Sequence, residues 1–163
     1  MLWILSWWVM VFNSTPNPNY TNIRSLYEQS LSDPTKISQF EAETQLTGSN
    51  NTTTLMAFHA TALALKARES TWVSTKLSLA KKAHSLLNQS VSANSSNCEI
   101  RFLRLSFEYN TPAFLGMKSH IANDKLYLMN HLKSTEPLFA IMVAFFRDCK
   151  DLTEVERKSL IER

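Results

Sequence analysis

Glycine is almost absent from this chain, and its scarcity limits the folds open to it. Gly48 and Gly116 are the only two glycines among 163 residues. Tight β-hairpin turns, phosphate-binding loops and dinucleotide-binding turns use glycine where φ is positive or backbones approach closely. The sequence therefore predicts an all-α protein with polar linkers between its helices. Its 44% hydrophobic content is enough for one ordinary core.

Residues 1–20 are predicted to be a hydrophobic, signal-like leader followed by a linker. Met1–Phe12 is apolar apart from Ser6, too short to span a bilayer, and similar to the hydrophobic region of a secretory signal. No basic residue precedes it and no Ala-x-Ala cleavage site follows, so a helix packed on the domain is the alternative. We expect an exported protein of the periplasm or cell envelope, with a cytoplasmic protein as the alternative. Membrane contact is expected only through the leader, if it is not cleaved.

A single helical domain is predicted for residues 21–163. Apolar residues recur there at helical spacing, which indicates about seven to eight helices. Short linkers favour antiparallel helical hairpins, arranged as a tetratricopeptide-like right-handed stack or as an irregular bundle. The predicted helices cover approximately residues 23–31, 34–46, 53–69, 75–91, 97–110, 121–132, 138–146 and 153–163.

Two capping boxes mark predicted helix starts. In this motif a hydroxyl accepts a backbone N–H three residues later, and a glutamate at that later position accepts the first N–H in return. Ser96 with Glu99 opens the fifth helix, and Thr153 with Glu156 opens the last. We expect the fifth helix to be central, because residues 100–107 are apolar on most of its circumference.

The most specific motif lies between Cys98 and Lys125. It reads CEIRFLRLSF, then NTPAFLG, then DK, and an earlier IRSLY occupies Ile23–Tyr27. Together these segments resemble an uncharacterised family of small exported helical proteins of Bacteroidota, over most of residues 21–133. The resemblance implies an exported, tetratricopeptide-like helical protein and brings no activity with it. Met117 departs from the pattern, since relatives carry tyrosine there.

Polar residues on and after the fifth helix are candidates for binding a ligand or partner. The guanidinium groups of Arg101 and Arg104 could hold a carboxylate or phosphate ligand. Alternatively, they bond Glu108, Asp124 or a helix C-terminal carbonyl within the fold. The candidate set comprises Arg101, Arg104, Glu108, Asn110, Phe114 and Asp124.

His120, Asp124 and His131 fall near one helical face and form a candidate metal site. Their spacing is looser than the compact His-Glu-x-x-His arrangement, so exposed polar residues on an ordinary helix are the alternative. No nucleophile motif occurs in the chain. The sequence therefore predicts no catalytic residues and no cofactor.

Apolar residues in two linkers are candidates for a contact surface. Trp72 and Val73 follow the third helix, and Phe114–Gly116 follows the fifth. Such residues either meet a partner or plug the end of the core. The apolar seventh helix likewise predicts either an oligomer interface or burial within its own chain.

Cys98 and Cys149 lack the spacing of a zinc site or a redox motif. We expect two buried, unpaired thiols, with a disulfide as the alternative.

The sequence as a whole favours a binding function over a catalytic one. The net charge of +3 is spread along the chain without a block of like charges, so nucleic acid is not an expected partner. Helical hairpins readily build binding surfaces. The sequence predicts a non-catalytic protein–protein or peptide interaction module of the bacterial cell envelope. The alternative is a small metal-dependent or hydrolytic enzyme using His120, Asp124 and His131.

Overall fold

The computed structural model describes residues 18–45, 52–150, 152–154 and 158. These residues contain seven α-helices and no β-strand, which confirms the predicted all-α class. The helices are α1 (Tyr20–Ser32), α2 (Ile37–Glu43), α3 (Thr53–Glu69), α4 (Val73–Ala93), α5 (Cys98–Asn110), α6 (Ile121–His131) and α7 (Phe139–Asp148). None of these helices has the length and apolar character needed to cross a membrane.

Two predicted segments fall outside this range. The leader, Met1–Phe12, lies outside the described residues, and so does most of the predicted final helix from Thr153 to Arg163.

The first six helices pack as three hairpins stacked in chain order. α1 packs on α2, α3 on α4, and α5 on α6. Each hairpin also contacts the next, through α2 with α3 and α4 with α5. In addition, α3 touches both α1 and α5, so the first helices of the three hairpins lie side by side. These contacts fit the predicted arrangement of antiparallel hairpins.

The start of α5 differs from the predicted capping box. Asn97 is the N-cap, and its Oδ1 accepts the N–H of Ile100 at 3.0 Å. The helix therefore begins one residue later than Ser96 would set it. Glu99 then turns away from the cap and forms two bonds with Arg24 of α1, at 2.6 and 2.9 Å. This nearly buried carboxylate joins the first and third hairpins.

Aromatic side chains hold the first hairpin against α3. Tyr27, Phe40 and Phe58 come from α1, α2 and α3, and their ring centroids lie 6.0–6.2 Å apart. All three are essentially inaccessible to solvent. Tilted and edge-on rings at this separation pack favourably. Because the three rings contact one another, α1, α2 and α3 share one core although they belong to two hairpins.

The α7 helix packs on its own chain. Phe145 lies edge-on to Phe102 and Tyr109 of α5, with ring centroids 5.5 and 5.4 Å away. Met142 and Phe146 are buried in the same core. One face of this helix is thus buried within its own chain, while its other apolar residues stay partly exposed.

Both cysteine side chains are buried, and no bond joins Cys98 to Cys149, both of which the structure describes. Burial raises the pKa of the Cys98 thiol. The predicted burial of both thiols is therefore observed.

Gly116 closes the turn after α5 in a conformation suited to glycine. Its φ is +67°, and it follows a 3-10 turn over Ala113–Leu115. We expect Gly116→Ala to lower the free energy of unfolding by about 1–2 kcal/mol, because alanine is strained at positive φ. An added Cβ would meet nothing within 4 Å, so the loss comes from the backbone. Urea unfolding measures it.

Asparagine tolerates positive φ better than alanine, so Gly116→Asn should lose less stability. Equal losses in the two variants would show that the left-handed conformation is not responsible.

Candidate functional site

Polar residues spaced four apart on three consecutive helices meet at one place in the fold. Residues at this spacing share one face of a helix. The pairs are His84 and Asn88 on α4, Arg104 and Glu108 on α5, and His120 and Asp124 at the start of α6. Because α5 packs on both α4 and α6, the polar stripe of α5 lies between them.

Asp124 anchors one end of this network. Its carboxylate is fully buried and accepts from Arg104 Nε and Nη2, at 2.7 and 2.9 Å. Arg101 Nη1 donates to the same carboxylate at 2.6 Å, and its guanidinium lies over the Tyr127 ring. A paired, two-point contact of this kind is the strong geometry for arginine and carboxylate. The two arginines thus have the internal partner that the sequence left as the alternative to a ligand.

Arg104 connects this end of the network to α4. Its Nη1 donates to Asn88 Oδ1 at 3.2 Å. The Asn88 amide nitrogen lies 3.2 Å from His84 Nε2 on the next turn of α4. A continuous path of hydrogen bonds therefore runs from Asp124 to His84.

Glu108 forms the other end. Its carboxylate is fully buried, and Oε2 accepts the backbone N–H of His120 at 2.8 Å. Oε1 lies 2.7 Å from His120 Nδ1 and 3.5 Å from His84 Nε2. A carboxylate at the start of α6 interacts favourably with the helix dipole. Glu108 therefore both caps α6 and brings two imidazole rings together.

The predicted metal set of His120, Asp124 and His131 is not brought together. Asp124 is occupied by two guanidinium groups. The His131 ring stacks on Tyr127 at 4.1 Å, and its Nδ1 lies 2.8 Å from the Tyr127 carbonyl oxygen. In the part of the chain that the structure describes, the group with metal-binding geometry is instead His84, Glu108 and His120.

Sequence reasoning missed His84 and Asn88. Their spacing on α4 was a detectable signal, but the sequence does not show which side of α4 faces α5. Only the register between the helices reveals that these two residues meet Arg104 and Glu108.

Nucleophilic catalysis does not follow from this geometry. Ser119 Oγ lies 3.2 Å from His120 Nδ1, the same nitrogen that faces Glu108. In a serine–histidine–acid triad, the serine and the acid contact opposite ring nitrogens. His120 is therefore not placed to activate Ser119 while Glu108 orients it.

The remaining predicted binding residues lie at the surface. Asn110 is exposed and donates its amide to the Ser106 carbonyl at 2.8 Å. Phe114 is 86% exposed, and in the other linker Trp72 and Val73 are 76% and 80% exposed. These three apolar side chains do not plug the end of the core.

Comparisons with known proteins do not assign a function to this site. No protein-family model, curated protein or solved structure matches the chain. The resemblance to a Bacteroidota family thus stays a prediction from the motifs.

Proposed function

We propose that this protein is a non-catalytic helical module that binds a protein or peptide partner. The observation that carries the proposal is the exposure of Trp72 and Val73, at 76% and 80%, where α3 turns into α4. Tryptophan is enriched among the residues that dominate binding energy at protein interfaces. Two adjacent apolar residues kept in water offer a surface that a partner would cover.

The surroundings of this turn support contact with a partner. All residues from Thr71 to Lys76 are exposed, so the turn projects beyond the packed part of the hairpin. Trp72 is also the N-cap of α4 without making a side-chain capping bond. The indole can only donate a hydrogen bond, and because it is exposed it can enter a pocket on another molecule.

The polar residues first considered for ligand binding are committed elsewhere. Arg101 and Arg104 both bond Asp124 inside the fold. This leaves the apolar turn as the better-placed binding surface. The signal-like leader and the resemblance to exported Bacteroidota proteins support placing the module in a bacterial cell envelope.

Replacing Trp72 tests the proposal. We expect Trp72→Ala to weaken partner binding by at least about 30-fold, the loss that corresponds to an interface residue worth 2 kcal/mol. The full chain, immobilised and exposed to an extract of the native host, gives a set of retained proteins for mass spectrometry. Binding of each retained protein is then measured with purified wild type and variant.

Leu126→Ala is the matched control, because Leu126 is 61% exposed on α6, outside this turn. It should retain full binding. A partner that binds wild type and Trp72→Ala equally, or an extract that yields no specific partner, would contradict the proposal.

A further inference from the structure

Three side chains able to bind a metal ion meet where α4, α5 and the start of α6 come together. His84, Glu108 and His120 each offer one ligand atom, and these atoms lie within 4.8 Å of one another. In a tetrahedral zinc site with bonds of about 2.1 Å, neighbouring ligand atoms are about 3.4 Å apart. His84 Nε2 lies 3.5 Å from Glu108 Oε1, which fits directly. His120 Nδ1 lies 2.7 Å from the same oxygen and donates its N–H to it, so metal binding needs a small outward movement of the ring and transfer of this proton to the other ring nitrogen or to solvent.

The hydrogen bonds around His84 indicate which lone pair a metal ion would meet. A guanidinium only donates, so Arg104 requires the oxygen of the Asn88 amide to face it. The Asn88 NH2 group then faces His84 Nε2, which must accept. Nε2 is therefore the nitrogen without a proton, the form that binds a metal. A metal ion would replace the Asn88 N–H on this lone pair.

The charge of Glu108 favours a cation at the same place. Its carboxylate is fully buried, and such a group is costly unless it is paired. Arg104, one turn away on α5, is committed to Asp124. The Glu108 oxygen atoms contact the His120 backbone N–H and the two imidazole rings.

We infer that His84 Nε2, Glu108 Oε1 and His120 Nδ1 form a binding site for a divalent transition-metal ion, with Zn²⁺ as the ion that best suits two imidazoles and one carboxylate. The imidazole side chains are 21% and 33% exposed, so solvent reaches the site and can complete the coordination. The Glu108 bond to the His120 N–H fixes the carboxylate beneath the ion. The site departs from the sequence prediction of no cofactor, and it is separate from the Trp72 surface.

Titration with zinc alone tests the site. The full chain is stripped with a chelator, dialysed and titrated with zinc chloride by calorimetry. Wild type should bind one zinc ion per chain and unfold at a higher temperature with zinc present. His84→Ala and His120→Ala should each weaken binding by more than about 100-fold, beyond the usual effect of removing a supporting residue. His131→Ala, which removes a histidine from the same helix region, should bind as wild type does.

Cobalt(II) provides a readout that does not depend on the variants folding. The absorption of the cobalt-loaded wild type should show nitrogen and oxygen ligands, without the thiolate charge-transfer band that Cys98 or Cys149 would give. No stoichiometric zinc binding to wild type would overturn the site. Unchanged affinity in folded His84→Ala or His120→Ala, or a thiolate band, would overturn it as well.

Discussion

Asp124→Asn is expected to lower the free energy of unfolding by about 3–5 kcal/mol, the usual loss when one partner of a buried ion pair is removed. The substitution keeps the shape of the side chain but removes its charge. Arg104 is then left 5% exposed and without a counter-ion, and Arg101 loses its bond across the same carboxylate. Urea unfolding followed by far-UV circular dichroism measures the change.

Asp148→Asn is the matched control for this prediction. The Asp148 side chain is 77% exposed and its ion pair with Arg147 lies in solvent, so the stability change should stay within about 0.5 kcal/mol. A small effect in Asp124→Asn, similar to this control, would mean that the guanidinium groups do not depend on that carboxylate.

Phe58→Ala is the second substitution expected to have a large effect. The ring is fully buried between Tyr27 of α1 and Phe40 of α2. Removing it loses the transfer free energy of the ring and leaves a cavity between two hairpins, so we expect a loss of about 3–5 kcal/mol. The same unfolding measurement applies.

Phe114→Ala removes an equal side chain that is 86% exposed, and it should change stability by less than about 0.5 kcal/mol. Similar losses from Phe58→Ala and Phe114→Ala would contradict the packing of α3 against the first hairpin.

The helices could be predicted from the sequence because their signals are local. The predicted third helix ran from Thr53 to Glu69, and α3 has those bounds. The apolar residues of α3 recur at helical spacing, and Thr52 supplies its N-cap through a bond from the Leu55 N–H. By contrast, α4 begins at Val73, before the predicted start. Its first turn is exposed, so it has no apolar pattern to detect.

The site could be predicted only in part, because it depends on distances between helices. Arg101, Arg104 and Asp124 belong to one local motif, and their pairing was among the alternatives. The sequence groups His131 with His120 because both fall near one face of the predicted sixth helix. The structure instead places His84, thirty-six positions before His120, beside the same carboxylate. The spacing of residues shows which of them share a face of one helix, but it does not show which faces of two helices pack together.

The two proposals concern different surfaces and can fail separately. Trp72 lies at the turn between α3 and α4, whereas His84 and His120 lie beside α5. Loss of partner binding in Trp72→Ala with normal zinc binding would support the interaction surface alone. Normal partner binding in a variant that no longer binds zinc would show that partner binding does not require the metal.

A double-mutant cycle between Arg104 and Asp124 is the most direct test of the buried network that joins α4, α5 and α6. The free energy of unfolding is measured for wild type, Arg104→Met, Asp124→Leu and the double variant. We expect the double variant to be more stable than the sum of the single losses implies, with a coupling energy of about 2–3 kcal/mol. Losses that add within about 0.5 kcal/mol would show that the two side chains do not depend on each other, and would contradict the network.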